Sequence, residues 1–129
     1  EKDEIDSIAK SHTVDVISMI APTSAQRVAM IAAQATGFIY LVSSLGVTGV
    51  RSSISTDIDA IISVIRSITT VPIAVGFGIH TPEQAHAIAQ KADGVIVGSG
   101  IVKRIAANPD KATQELAGYF KELRIALDA

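Results

Sequence analysis

Hydrophobic positions along the chain fall into two kinds of pattern. Four short runs are nearly continuous in apolar and β-branched residues: 13–20 (TVDVISMI), 38–43 (FIYLVS), 71–77 (VPIAVGF) and 94–98 (GVIVG). Runs that do not alternate with polar residues fit parallel strands buried on both faces. Between them the apolar residues recur at helical spacing. Ile58, Ile61, Ile62 and Ile65 stand at i, i+3, i+4 and i+7, one face of a helix. Ala85, Ile88 and Ala89 form a shorter stripe, and Leu116, Phe120, Leu123 and Leu127 a final one. Ile5, Ile8 and Ala9 predict a helix ahead of the first strand.

Boundary residues agree with this reading. Thr23 with Gln26, and Thr81 with Gln84, have capping-box spacing. Pro82 stands where a first helical residue would be, and there its missing N–H costs nothing. Asn108-Pro109 divides a short helix over 101–107 from the last one. Strands therefore alternate with helices along one unbroken unit, residues 1–129, without linker or low-complexity sequence. That order predicts an α/β fold with a parallel sheet and right-handed crossovers. Four such units make half of a (β/α)8 TIM barrel or a small open doubly wound sheet, and periodicity does not choose between them.

Composition narrows the function classes. Hydrophobic residues make up 48% of the chain and the mean hydropathy is +0.39, too apolar for a disordered polymer. No run approaches the roughly 18–20 residues that span a bilayer; the longest, over 71–79, is broken by Pro72, Gly76 and Gly78. There is no cysteine, which removes disulfides and thiolate metal sites and fits a cytoplasmic location. The net charge of −2 comes with scattered Lys and Arg, so no basic stripe marks a nucleic-acid partner. The N-terminal EKDEIDSIAK is polar and acidic, unlike a targeting peptide, and has no initiator methionine. A processed product, or a fragment of a longer chain, is expected.

The candidate chemistry lies just after the strands. Gly46-Val47-Thr48-Gly49 follows the second run, Gly76-Phe77-Gly78 the third and Gly98-Ser99-Gly100 the fourth, where a helix begins. Glycine lets backbone approach a ligand and permits positive φ, and a helix N-terminus presents unpaired N–H groups to an anion. Each Gly-x-Gly alone reads equally well as a tight turn; three at successive strand ends favour a phosphate site. Neither a dinucleotide fingerprint nor a P-loop is present. Acid–base groups are scarce by contrast. Asp15 and Asp93 fall at the opposite strand ends and read as turn or stability residues. His80 is on the correct side but reads as a surface histidine, as do His12 and His86. No His, Asp and Glu spacing suits a metal, and no histidine is placed to activate Ser99.

These motifs, in this order and spacing, resemble the tryptophan synthase alpha subunit family. Residues 40–49 (YLVSSLGVTG) with Arg51 resemble its sixth strand and loop. Residues 75–83 (VGFGIHTPE) resemble its seventh strand and following helix, and 94–103 (GVIVGSGIVK) its eighth strand and extra helix. Ile20-Ala21-Pro22-Thr23 resembles the end of strand five. The resemblance covers essentially the whole chain. It implies the C-terminal half of a (β/α)8 barrel, helix four to helix eight, in a lyase that cleaves indole-3-glycerol phosphate to indole and glyceraldehyde 3-phosphate in tryptophan biosynthesis.

Carried over by that resemblance, Gly49, Phe77, Gly78, Gly98 and Ser99 would hold the phosphate. Tyr40 would lie beside the glycerol, Phe77 and Ile96 would wall the indole pocket, and Thr48 would help close a lid. The family's catalytic Glu and Asp belong to the half that precedes these motifs, so this chain alone is expected to be inactive. No cofactor is implied, since pyridoxal phosphate belongs to the partner beta subunit. His80 and Thr81 depart from the small hydroxyl residues of many relatives. Pairing with the other half-barrel, or self-association, is expected from the edges and apolar inner face a half-barrel would expose. A non-catalytic, self-associating phosphate-binding half-barrel is the alternative; the combined motif set argues against another phosphate-binding barrel such as an isomerase.

Overall fold

The computed structural model describes residues 2–43, 54–76 and 78–129. The elements are α1 (Lys2–Ser11), β1 (Ser18–Ile20), α2 (Ala25–Ala32), β2 (Ile39–Val42), α3 (Ile54–Arg66), β3 (Ile73–Gly76), α4 (Pro82–Ala89), β4 (Gly94–Ile96), α5 (Ser99–Ala107), a 3-10 turn (Pro109–Lys111) and α6 (Ala112–Asp128). The four strands pair in parallel, in sequence order. This is the predicted α/β architecture, a partial barrel.

Register and burial together separate the two faces of the sheet. Ser18, Ile39 and Ile73 align, as do Ile20, Leu41, Val75 and Val95. Ile20, Ile39, Leu41, Ile73 and Val75 are fully buried and share a core with Val28, Ile58, Ile61, Ile62, Ile65, Ala85 and Ile88 of the helices. The α3 stripe read from periodicity is thus the centre of that core. Each such buried aliphatic side chain contributes about 1.5–3 kcal/mol. The opposite face carries Met19, Tyr40 and Ala74 in one row and Val42, Gly76 and Ile96 in the next. Met19 is 62% exposed, and Tyr40, Val42, Ala74 and Ile96 are half-buried. Continuous apolarity predicted burial on both faces; among the described residues helices cover only one.

Several boundaries shift for local reasons. The first strand was expected over 13–20 but spans only Ser18–Ile20. Thr13 has φ 58 and turns the chain out of α1, with Val14 N–H bonded back to Ala9. The third strand shortens to Ile73–Gly76 and the fourth to Gly94–Ile96, because Gly98 becomes the N-cap of α5. The expected Thr23 cap of α2 is one residue out: Ser24 holds the extended cap geometry, and its hydroxyl accepts from the Arg27 N–H. The Thr81–Gln84 capping box forms as expected, with Pro82 in the first turn. In the last helix Phe120 is 47% exposed, and Tyr119 takes the core position with Leu123.

Candidate functional site

The C-terminal ends of β3 and β4 are neighbours in the sheet, so the loops that follow them leave on the same side. After β3, Gly78 adopts φ 79, a left-handed conformation that strains any other L-residue. The chain then turns through a bonded set. The His80 ring Nδ1 lies 2.7 Å from the Gly78 carbonyl oxygen, and the Gln84 Oε1 accepts from the His80 and Thr81 N–H groups at 2.9 and 3.2 Å. Ile79, between them, is buried and anchors the loop in the core. After β4, α5 starts at Ser99 with Gly98 as N-cap and no side-chain capping bond. The first N–H groups of a helix have no partner within it, and here no side chain supplies one, unlike the Ser24 and Thr81 caps of α2 and α4. A Cβ placed on Gly98 meets none of the described residues within 4 Å.

The structure brings these two loops into contact. A Cβ on Gly100, in the first turn of α5, would lie 3.3 Å from the His80 Cβ. Tyr119 closes the join from α6, its hydroxyl donating to the His80 carbonyl at 3.0 Å. The Arg104 guanidinium lies 3.5 Å over the Tyr119 ring, and its Nη1 donates to the Gly100 carbonyl at 3.0 Å. Among the predicted residues, Gly78, Gly98 and Ser99 therefore gather at one end of the sheet. Ile96, the last residue of β4, and Tyr40 lie on the open face beneath them. The Tyr40 hydroxyl would be 2.6 Å from a Cβ at Gly76, so Gly76 is the gap into which this ring fits. Thr48, Gly49 and Phe77 lie outside the described residues, as does the whole Gly46-Val47-Thr48-Gly49 loop.

Sequence reasoning missed Tyr119 and Arg104, and read Gly100 only as part of the glycine loop. The available signal was Tyr119 three residues after Leu116 on the α6 stripe, a polar-tipped ring in a core position. The carboxylates behave as expected. Asp93 precedes β4, accepts from the Ile73 N–H at 2.8 Å and pairs with Arg66 at 2.7 Å. The Ile73 N–H bond, aided by Arg66 against partial burial, holds its carboxyl below the usual aspartate range. Asp15 is exposed before β1. His86 is half-buried rather than a surface residue, its Nδ1 2.8 Å from the Ala126 carbonyl oxygen, tying α4 to α6. Among the described residues no three His, Asp or Glu side chains gather as a metal site. A cleft of about 380 Å³ between α2 and α3 is lined by Pro22, Val28, Ile61, Val64 and small neighbours without an ionisable group, and it lies away from Gly78, Gly98 and Ser99.

Comparison with known proteins decides the family. The family model for tryptophan synthase alpha chain matches residues 1–126. This chain belongs to the tryptophan synthase alpha chain family. The alpha chain of Lacticaseibacillus casei is 46% identical over 128 residues, covering 99% of this chain and 48% of the relative. That of Lactiplantibacillus plantarum is 55% identical over 116 residues, covering 89% and 44%. Among solved structures, the alpha subunit from Campylobacter jejuni is 36% identical with TM-score 0.76, covering 82% of this chain and 43% of that one. The alpha subunit from Legionella pneumophila is 30% identical with TM-score 0.79, covering 99% and 48%. The chain thus spans about half the length of the curated relatives it matches. The family is a lyase of tryptophan biosynthesis on a TIM-barrel fold. Its alpha chain carries no cofactor, pyridoxal phosphate belonging to the beta subunit.

Proposed function

We propose that this chain carries the phosphate-binding half of an indole-3-glycerol phosphate lyase. One observation carries the reading: the Gly78 turn stands against the uncapped first turn of α5, which starts at Gly98 and Ser99. Backbone N–H groups at such a turn, with the helix dipole behind them, suit a phosphate dianion. In this reading Gly49, Phe77, Gly78, Gly98 and Ser99 hold the phosphate, Tyr40 flanks the glycerol, Ile96 and Phe77 wall the indole, and Thr48 helps close the site. Titration of the ¹⁵N-labelled chain with inorganic phosphate tests it. Saturable shifts should centre on the amides of Gly78, Gly98, Ser99 and Gly100, and Gly78→Val should weaken them. Unmoved amides in that cluster, or an unaffected valine variant, would overturn the assignment.

The chain supplies the grip and not the proton transfer. Among the described residues, Asp15 and Asp93 stand before their strands, at the end opposite the glycine loops, and the His80 ring is engaged with the Gly78 carbonyl. Retro-aldol cleavage needs a base and an acid at the substrate, and the catalytic Glu and Asp are assigned to the other half of the family's barrel. Indole release from indole-3-glycerol phosphate by the chain alone should stay at background; turnover abolished by His80→Ala would refute this division of labour. Among the described residues, the partly exposed apolar face of the sheet and the outer edges of β1 and β4, each without a paired strand, support pairing with the other half-barrel or with a second copy. The complete barrel would bind the beta subunit, in the cytoplasm; no described helix is long and apolar enough to cross a membrane.

A further inference from the structure

We infer that Tyr119 is a positioning residue for the phosphate cradle, and that position 100 is glycine to make room for its hydroxyl. The inference rests on the phosphate reading above and adds what fixes the spacing of the two loops. Tyr119 is 3% exposed. Its hydroxyl donates to the His80 carbonyl, two residues beyond the Gly78 turn. The same oxygen lies 2.8 Å from where a Gly100 Cβ would be, closer than real Cβ contacts come. One atom is therefore bonded to one loop and fills the space that a side chain at position 100 would need in the other. The ring cannot retreat readily, because Arg104 covers it at 3.5 Å and is itself bonded to the Gly100 carbonyl. Removing the hydroxyl frees the loop from the helix; adding a methyl at Gly100 pushes the hydroxyl off its acceptor. Either change should spread the N–H groups that face the anion, although the Tyr119 side chain does not touch it.

The test is a double-mutant cycle on the 129-residue chain, with Tyr119→Phe, Gly100→Ala and the pair, read by inorganic phosphate titration and thermal melting. Tyr119→Phe should weaken phosphate binding roughly three- to tenfold, the size of one hydrogen bond. Gly100→Ala should weaken it comparably, and the double variant should lose less than the two losses multiplied, because phenylalanine relieves the clash. Val28→Ala, a cavity between α2 and α3 away from both loops, should lower the melting temperature and leave phosphate affinity at the unmodified value. A merely structural Tyr119 would behave like Val28. Unchanged affinity in Tyr119→Phe, or losses that multiply independently, would overturn the inference while leaving the phosphate site standing. No saturable binding by the unmodified chain would overturn both.

Discussion

At the scale of single residues, a few side chains couple sequence-distant backbone. Asp93 shows how. Its carboxylate accepts from the Ile73 N–H and pairs with Arg66, while its own N–H donates to the Ile73 carbonyl at 2.9 Å. It therefore pins the starts of β3 and β4 together and joins α3 to them. A carboxyl held below its ordinary value of about 3.9 stabilises the fold above that pH, and the stabilisation is lost as pH falls through the lower folded value. Asp93→Asn should cost about 1 kcal/mol at neutral pH. Partial exposure of the pair keeps the charge contribution small. Denaturant melts between pH 7 and pH 2 should show the two proteins converging in acid. A constant difference across that range would mean that the ionised form is not what matters.

At the scale of elements, helix starts divide into capped and uncapped. Ser24 and Thr81 cap α2 and α4 with their own hydroxyls, whereas α5 begins at Gly98 with no side-chain cap. Replacing Thr81 by Ala removes a bond to the Gln84 N–H and should cost about 1 kcal/mol, seen as a lower melting temperature. Introducing a cap on α5 should do the reverse. Gly98→Asp supplies an acceptor for the helix N–H groups and meets open space among the described residues. It should hold or raise the melting temperature while its carboxylate competes with phosphate, so affinity should fall at least tenfold. A Gly98→Asp protein that binds phosphate normally would argue that the α5 turn faces elsewhere. The Thr81 start was legible because capping box and proline coincide there; the α2 start was misplaced by one residue because Thr23 and Ser24 are both competent caps and only backbone geometry selects one.

At the scale of the molecule, one face of the sheet is buried under helices and the other, among the described residues, is only partly covered. The helices bury Ile20, Ile39, Leu41, Ile73 and Val75, while the row through Met19, Tyr40 and Ala74 and the row through Val42 and Ile96 lie open to different degrees. The outer strands β1 and β4 each have one paired side among the described residues. Apolar faces and free strand edges favour association. Light scattering at micromolar concentration should show a species larger than one chain, and Met19→Glu together with Ile96→Lys should shift it toward monomer without lowering α-helical circular dichroism. A monomer unaffected by either change would show that the open face does not drive assembly.

Much of this was determined by the sequence alone. Helical spacing in α3, the proline and capping box of α4 and the strand–glycine–helix order are local properties of the chain, and local backbone chemistry is enough to set them. The same glycines, with the surrounding strand motifs, already carried the family resemblance. Tertiary structure decided what depends on distant residues meeting. Tyr119 rather than Phe120 turns inward because α6 packs on α4 and α5 with that side, and its hydroxyl finds the His80 carbonyl 39 residues away. Which face of the sheet is buried was also decided there. Apolar residues occur on both sides of every strand, and only the placement of the helices leaves one side, among the described residues, partly exposed.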